Sequence, residues 1–254
     1  MTEDRVIREK AAYDEGQFRG ARGKLVSLYR YVYSSPNSLR AKQHWQNLVR
    51  QSLADKRVLE VGCGEGWDCS KFQQWGAREV HGIDLSTSML AVAKQRENAG
   101  LKFFEHDLHV TWPHRYDVIV GRSVLHHIDY QAILATLYEN NLEPGGQMVF
   151  VEPLGHSLVM RVYWALGSRV HTPDERPFQR ADILWLQQRF PGFNLIPTNL
   201  TSIPAAALTW LLRLEPDNAL TRLADRLDVY LATHVSGLKL HYRSAIFHII
   251  KPLA

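Results

Sequence analysis

Cysteine is scarce in this sequence. Only Cys63 and Cys69 occur among 254 residues, six positions apart, which excludes the disulfide framework that staples small secreted domains. No further cysteine and no nearby ladder of cysteine and histidine completes a zinc site. We therefore expect two small buried thiols in a reducing compartment.

Long apolar runs are missing as well. No stretch approaches the roughly 18 uninterrupted apolar residues of a membrane span. The first ten residues, MTEDRVIREK, carry charges of both signs from the third position onward. A secretory signal instead has a short basic start that is followed by an apolar segment. The sequence therefore predicts a soluble protein without a signal sequence, located in the cytoplasm.

A strong excess of one charge is also missing. Lysine and arginine number 30, aspartate and glutamate number 26, and 45% of all residues are hydrophobic. This composition is typical of a globular chain. The mild basicity argues against a nucleic-acid partner, which requires a clustered basic surface.

What the sequence does contain is an alternation of short apolar segments with helix-length ones. Strand-like segments occur at 57–61, 80–84, 101–105, 116–121 and 147–152, and helix-length segments lie between them at 67–75, 88–98 and 130–141. Apolar strands that alternate with helices predict a parallel sheet covered on both faces. The pattern loosens after Pro153, where it predicts helices and strands at 158–166, 181–190, 193–196, 203–214, 219–232 and 244–250.

The strongest local signal is the segment LEVGCGEGWD at residues 59–68. An apolar strand runs into Gly62, Gly64 and Gly66, and a helix is predicted directly after them. Glycines at alternate positions allow positive φ and remove the β-carbons that would keep a ligand from the backbone. The start of a helix also exposes unpaired amide donors. Taken alone, such a loop is either a ligand cradle or a structural tight turn.

Two aspartates that follow neighbouring strands narrow this choice. Asp84 ends the second strand about twenty residues after the loop, where an acidic side chain can accept from both hydroxyls of a ribose. Asp107 follows the third strand. A dinucleotide-dependent dehydrogenase fits less well, because its fingerprint G-x-G-x-x-G puts the third glycine one residue later than Gly66 and gives Asp107 no role.

Together with the fourth strand and its continuation DVIVGRSVLHHI, residues 117–128, this series resembles the class I S-adenosylmethionine-dependent methyltransferases, especially those that act on small molecules. The resemblance covers residues 55–155 well and the C-terminal third loosely. It implies one α/β domain with a Rossmann-like sheet of seven mostly parallel strands and helices on both faces. Its expected parts are an N-terminal helical extension (1–54), the cofactor-binding core (55–155), a helical substrate cap (156–242) and a last strand (243–254).

The resemblance also implies S-adenosylmethionine as the cofactor and a role for each motif residue. Glu60 is expected near the amino group of the methionine part, Asp84 on the ribose hydroxyls, and Asp107 on the adenine amino group. An aromatic residue in the segment YDEG would close over the cofactor. The complete expected cofactor site is Glu60, Gly62, Cys63, Gly64, Gly66, Asp84, Leu85, Asp107, Leu108, Arg122, Ser123 and Tyr13.

Transfer from an already activated sulfonium requires alignment of the acceptor and, for a hydroxyl acceptor, removal of a proton. Open α/β sheets hold ligands at the carboxyl ends of their strands, and His126 and His127 follow the fourth strand. Histidine titrates near neutrality, so one of the pair is the expected base, and a structural role for both stays open. Further candidates are Glu152, His156, His171, Asp174 and Glu175.

One departure from the family concerns metal ions. The segment SVLHHI aligns with the E-x-x-E-H pattern that is linked to a divalent metal in quinone-biosynthesis O-methyltransferases. Ser123 and His126 stand at its two acidic positions. Because two carboxylate ligands for a hard cation are missing, we expect no Mg²⁺ requirement and no metal site.

The acceptor is expected to be a small molecule of hydrophobic, amphipathic or lipid-linked character, because 158–166 and 203–214 supply apolar surface. Candidate lining residues are Leu158, Tyr163, Trp164, Trp210 and Leu211. The segment 203–214 could instead contact a subunit or a membrane surface, and the sequence does not fix the oligomeric state. O-methylation leads because of the histidines. N- or C-methylation, and a cofactor-binding protein with a scaffold, regulatory or non-transfer role, are the alternatives.

Overall fold

A twisted sheet of seven strands forms the centre of the molecule. The computed structural model describes residues 7–8, 10–11, 14, 24–158, 161 and 175–253. The strands are β1 Arg57–Val61, β2 Glu79–Asp84, β3 Leu101–Glu105, β4 Tyr116–Arg122, β5 Leu142–Pro153, β6 Phe193–Thr198 and β7 Ser244–Ile250. Their order is β3-β2-β1-β4-β5-β7-β6, and β7 runs antiparallel to both of its neighbours. The predicted mostly parallel, seven-stranded α/β fold is confirmed.

Eight α-helices in the described residues accompany the sheet. They are α1 Lys24–Tyr33, α2 Pro36–Arg50, α3 Trp67–Gln74, α4 Thr87–Ala93, α5 Tyr130–Thr136, α6 Arg180–Arg189, α7 Ser202–Leu211 and α8 Ala219–His234. The predicted helix at 88–98 is shorter because the chain tightens into a 3₁₀ turn at Lys94–Arg96. The predicted helix at 130–141 likewise ends early, in a wider turn at Leu137–Asn141.

Successive residues of the strands divide the core into two layers. In β1, Val58 packs with Trp45 of α2 and Phe72 of α3, whereas Leu59 belongs to the layer around α5 and α6. Side chains of a strand alternate between the faces of a sheet, so a strand that is covered on both faces is apolar throughout. Each large side chain buried in this way stabilises the fold by about 1.5–3 kcal/mol.

The strand order places the ligand site. β1 lies between β2 and β4. The chain therefore adds β2 and β3 on one side of β1 and then crosses back to add β4 and β5 on its other side. Such a switch point opens a crevice at the carboxyl ends of the strands. The loops that follow β1, β2, β3 and β4 therefore meet at one edge of the sheet.

Helix α8 is held in place by a buried carboxylate rather than by its apolar face. Asp228 of α8 accepts hydrogen bonds from the side chain of Asn37 in α2 (2.9 Å) and from the backbone amides of Leu200 (2.9 Å) and Thr201 (2.7 Å). The apolar face of this helix lies on the outside, because Leu223 and Tyr230 are exposed. No helix in the described part of the chain is long and apolar enough to cross a membrane.

Candidate active site

A single cavity joins the glycine loop to the predicted strand-end residues. It is lined by parts of the loop after β1, by the ends of β2, β3 and β4, and by the turn that follows β4. Its lining residues are Gly62, Gly64, Ile83, Asp84, Leu85, Met89, His106, Asp107, Leu108, His109, Arg122, Ser123, Val124, His127 and Ile128. Eight residues of the expected cofactor site are among them, and so is one of the two candidate bases.

The glycine loop has the backbone conformation that the sequence predicts. Gly62, Gly64 and Gly66 have φ of 66°, 52° and 76°, a region that side chains disfavour. A β-carbon on Gly66 would lie 2.5 Å from Phe103 Cζ, whereas a β-carbon on Gly64 would meet nothing within 4 Å. Gly66 is thus required by packing, and Gly64 leaves the loop backbone open towards the cavity.

Asp84 fixes the loop from the end of β2. Its Oδ2 accepts from the amide of Gly64 at 2.7 Å, and its Oδ1 accepts from the amide of Ser86 at 2.9 Å. Burial raises the pKa of Asp84, although both backbone hydrogen bonds favour its ionised form. Each carboxylate oxygen has a second acceptor position, so the same side chain can accept from ribose hydroxyls in the cavity.

Glu60 lies beneath the loop rather than in the lining of the cavity. It is buried in β1, and Cys69 Sγ donates to its Oε2 at 2.9 Å. Burial raises the pKa of Glu60 to about 8, and the neighbouring carboxylate of Asp68 adds to this rise. Cys63 and Gly66 also fall outside the lining residues, and Tyr13 lies outside the described residues. The role expected for each residue of the cofactor site, inside or outside the lining, stays a prediction.

The end of β4 contributes charge and a strained backbone. Arg122 lines the cavity, forms an ion pair with the buried Asp68, and has its guanidinium over the ring of Trp45 at 5.2 Å. Ser123 has φ of 54° although it is not glycine, and such conformations cluster at functional sites. Both residues line the cavity, and their expected place beside the methionine part of the cofactor stays a prediction.

His126 and His127 differ in their surroundings although they are adjacent. His126 is 8% exposed, and its Nδ1 lies 2.6 Å from Oε2 of Glu152, whose Oε1 accepts from the amides of Val124 (3.0 Å) and Leu125 (2.9 Å). His127 lines the cavity instead. A structural role thus fits His126, and His127 is the candidate that can meet an acceptor.

The other candidate bases have structural contacts or lie elsewhere. Glu152 is 1% exposed and holds three hydrogen bonds, so burial removes it as a base candidate. His156 accepts from the amide of Arg180 at 3.2 Å, at the start of α6. His171 and Asp174 lie outside the described residues.

Several lining residues were not expected from the sequence. His106, His109 and Met89 line the cavity, and His109 bonds Asp107 through its amide at 2.9 Å and its Nδ1 at 2.6 Å. The two histidines stand in the segment HDLHV, which directly follows β3, and this position in the sequence could have indicated them. Among the expected acceptor residues, Leu158 and Leu211 are exposed, Trp210 donates to Ser27 of α1 at 2.9 Å, and Tyr163 and Trp164 lie outside the described residues.

A model of the methyltransferase domain family matches residues 38–214, more than half of the chain. The chain belongs to this family. A ubiquinone biosynthesis O-methyltransferase from Nitrosococcus oceani is 31% identical over 186 residues, an alignment that covers 68% of this chain and 77% of the relative. The prediction of an enzyme that transfers a methyl group from S-adenosylmethionine is confirmed.

Solved methyltransferases share the fold at low sequence identity. The phosphoethanolamine N-methyltransferase 2 of Haemonchus contortus in complex with S-adenosyl-L-methionine has a TM-score of 0.64 and 20% identity, and the alignment covers 99% of this chain and 60% of that one. Magnesium protoporphyrin IX methyltransferase from Synechocystis PCC 6803 with bound SAH has a TM-score of 0.58 and 16% identity, with coverage of 98% and 100%. At these identities the likeness concerns the fold.

The divalent metal of the family's E-x-x-E-H pattern does not fit the residues present in this chain. His126, His127 and Glu175 bring one potential ligand atom each to within 4.8 Å of one another. Two of these atoms are nitrogens, whereas Mg²⁺ prefers oxygen ligands in octahedral geometry. The expectation that Mg²⁺ is not required stays a prediction.

Proposed function

We propose that this methyltransferase methylates a hydroxyl group on an amphipathic small molecule, and that His127 accepts the hydroxyl proton. The observation that carries the proposal is the placement of His127 in the same cavity as Gly64 and Asp84. A methyl donor held on the glycine loop and a base at the far end of one cavity would place an acceptor between them. Such alignment is the main requirement of the reaction.

The surroundings of His127 support an acceptor with apolar parts. Val124 and Ile128, one turn before and one residue after His127, line the cavity beside it, and Leu108 lines it as well. The relative from Nitrosococcus oceani, named for O-methylation in ubiquinone biosynthesis, supports a hydroxyl acceptor. A phenol or enol that carries an apolar tail would match both features.

An acceptor panel tests the proposal. The purified protein is supplied with S-adenosylmethionine and with phenols that carry no tail, a short tail or a long alkyl tail, each beside its methyl ether and its aniline counterpart. Formation of S-adenosylhomocysteine is measured, and the methylated atom is identified by mass spectrometry and NMR. We expect turnover of the phenols that rises with tail length, and none with the ethers or the anilines.

Two outcomes would contradict the proposal. Methylation of the anilines alone, or of short polar compounds alone, would assign another acceptor class. Binding of S-adenosylmethionine without transfer to any panel member would favour a scaffold or regulatory role. The variant His127→Ala is the control, because loss of a general base should lower turnover of a phenol by about 10²-fold or more and leave cofactor binding unchanged.

A further inference from the structure

Two adjacent histidines each face a glutamate, and one of the two pairs opens onto the cavity. Nδ1 of His126 lies 2.6 Å from Glu152, and Nδ1 of His127 lies 3.5 Å from Oε1 of Glu175. The two imidazole rings lie against each other with centroids 4.1 Å apart. His127 lines the cavity, and His126 is not among the lining residues.

We infer that Glu175 is the positioning residue of His127, and that the two form a carboxylate–imidazole dyad which accepts the proton of the acceptor. The inference rests on the proposed function, because a hydroxyl acceptor is what makes a base necessary. It assigns a role to a residue outside every motif of the cofactor site. It also separates the two histidines, since His126 and Glu152 then form the structural pair on which the dyad rests.

The backbone around Glu175 holds its carboxylate against the turn that carries the histidines. The amide of Arg176 donates to the carbonyl of His126 at 3.1 Å, and the amide of Phe178 donates to the carbonyl of Pro153 at 2.9 Å. The side chain of Glu175 is only 3% exposed, so it is shielded from competing water. A separation of 3.5 Å is longer than a hydrogen bond, and catalytic pairs commonly tighten when the substrate complex forms.

A carboxylate beside Nδ1 determines what the imidazole can do. It holds the ring hydrogen on Nδ1, so Nε2 is the basic atom, and it stabilises the imidazolium. During transfer the acceptor oxygen bonds to the methyl carbon while the carbon–sulfur bond breaks and its electron pair goes to sulfur. The hydroxyl proton passes to Nε2 of His127 and leaves to solvent after the product departs.

Other charged groups surround His127, and among them Glu175 has its Oε1 3.5 Å from Nδ1. The titratable and charged described residues on the elements around it are His126, Glu152, Glu175, Arg176, Asp84, His106, Asp107, His109 and Arg122. Glu152 is engaged by His126, and Asp107 is engaged by His109. The state of the His127 ring should therefore respond to Glu175 more than to any of the others.

Imidazole ¹⁵N NMR of the full chain tests the dyad without a known acceptor. We expect His127 to carry its hydrogen on Nδ1 in the wild type and to shift towards a mixture of tautomers in Glu175→Gln. The matched variant Glu152→Gln should change the signals of His126 and leave the tautomer of His127 as it is. Unchanged His127 signals in Glu175→Gln would overturn the inference. So would cobalt(II) absorption bands that disappear in His127→Ala, because they would make His127 a metal ligand.

Kinetics with a hydroxyl acceptor from the panel give the second test. Glu175→Gln should lower kcat by about 10- to 100-fold, leave KM for S-adenosylmethionine unchanged, and move the acid limb of the pH–rate profile to lower pH. Glu175→Asp should recover part of kcat. A nitro-substituted phenol, which ionises without a base, should recover most of the rate in Glu175→Gln, and equal slowing on both phenols would indicate a merely structural role.

The two hypotheses fail in different ways. If the wild type methylates only amines, the proposed hydroxyl acceptor is wrong whatever the NMR spectra show. If the wild type methylates phenols and Glu175→Gln does so at the wild-type rate, the dyad is wrong and the proposed function stands.

Discussion

The two sides of the cavity are built in different ways. On the side where we expect the cofactor, the glycine loop and the strand-end residue Asp84 follow neighbouring strands, and Asp84 accepts from the backbone amides of Gly64 and Ser86. On the acceptor side, His127 and Glu175 come from distant parts of the chain and meet through side chains. The side expected to hold the cofactor therefore follows from the order of the strands, whereas the side proposed for the acceptor depends on a contact between distant parts of the chain.

The largest expected effect is a loss of stability that distinguishes the structural carboxylate Glu152 from the proposed base His127. Glu152→Ala leaves two backbone amides and the His126 ring without their acceptor, which should lower the free energy of unfolding by about 3–5 kcal/mol. His127→Ala, at a neighbour whose side chain is 11% exposed, should lower it by less, about 1–2 kcal/mol, while it abolishes most turnover. Urea unfolding measures both variants, and equal losses of stability would contradict the distinction between the two histidines.

Two glycine variants in the loop after β1 distinguish a loss of stability from a loss of cofactor binding. Gly66→Ala places a methyl group against Phe103 at positive φ and should cost about 2–3 kcal/mol of stability. Gly64→Ala meets no neighbour and should cost about 1 kcal/mol, but it should weaken binding of S-adenosylmethionine roughly tenfold because the methyl group occupies the ligand's side of the loop. Thermal unfolding and calorimetry report the two quantities. A Gly64→Ala variant with normal affinity would show that the loop does not approach the cofactor.

The third prediction concerns pH. The pKa of Glu60 is raised to about 8 by burial, so this carboxyl is largely protonated at neutral pH before the cofactor binds. A bound ammonium group would favour the carboxylate and lower that pKa, so binding releases a proton and tightens as pH rises towards 8. Between pH 6 and 7.5, the affinity of the wild type should rise relative to that of Glu60→Gln by up to about tenfold. Parallel pH profiles would place Glu60 away from the cofactor's amino group.

The smallest expected effect lies in the N-terminal segment. Asp14 accepts from the hydroxyl of Ser86 at 2.6 Å and from the amide of Ser88 at 3.0 Å, directly after Asp84. The hydrogen bond from Ser86 lowers the pKa of Asp14. Asp14→Asn should weaken cofactor binding only a few-fold, because one neutral acceptor remains and each such bond contributes about 1 kcal/mol. A loss as large as that of Asp84→Ala would mean that this segment forms the site rather than covering it.

Much of the cofactor side could be predicted from the sequence because local rules determine it. β1 and β3 were predicted at their observed bounds, since β1 is a nearly continuous apolar run covered on both faces and β3 carries its apolar residues between polar ones. Asp84 and Asp107 were expected in one cofactor site through the family resemblance, and both line the cavity because the carboxyl ends of parallel strands meet at one edge. β5 was predicted too short, because Gly145 and Gly146 resemble a turn, whereas the chain passes through them as an irregular extension of the strand.

The acceptor side could not be predicted to the same depth. Glu152 and Glu175 look alike in the sequence as candidate bases, and tertiary contacts alone bury one under His126 and bring the other to His127. The leucines of α8 lie on one face of the helix at helical spacing, and that face is exposed. Its outward direction follows from Asp228, whose buried hydrogen bonds orient the helix.

The most direct measurement is a calorimetric titration of S-adenosylmethionine and of NAD into the wild type, Asp84→Ala and His127→Ala. We expect the wild type and His127→Ala to bind S-adenosylmethionine with the same affinity, Asp84→Ala to lose at least about 100-fold in affinity, and no variant to bind NAD. Binding of NAD, or normal affinity in Asp84→Ala, would contradict the assignment of the cofactor side. Loss of binding in His127→Ala would contradict the division of the cavity into two sides.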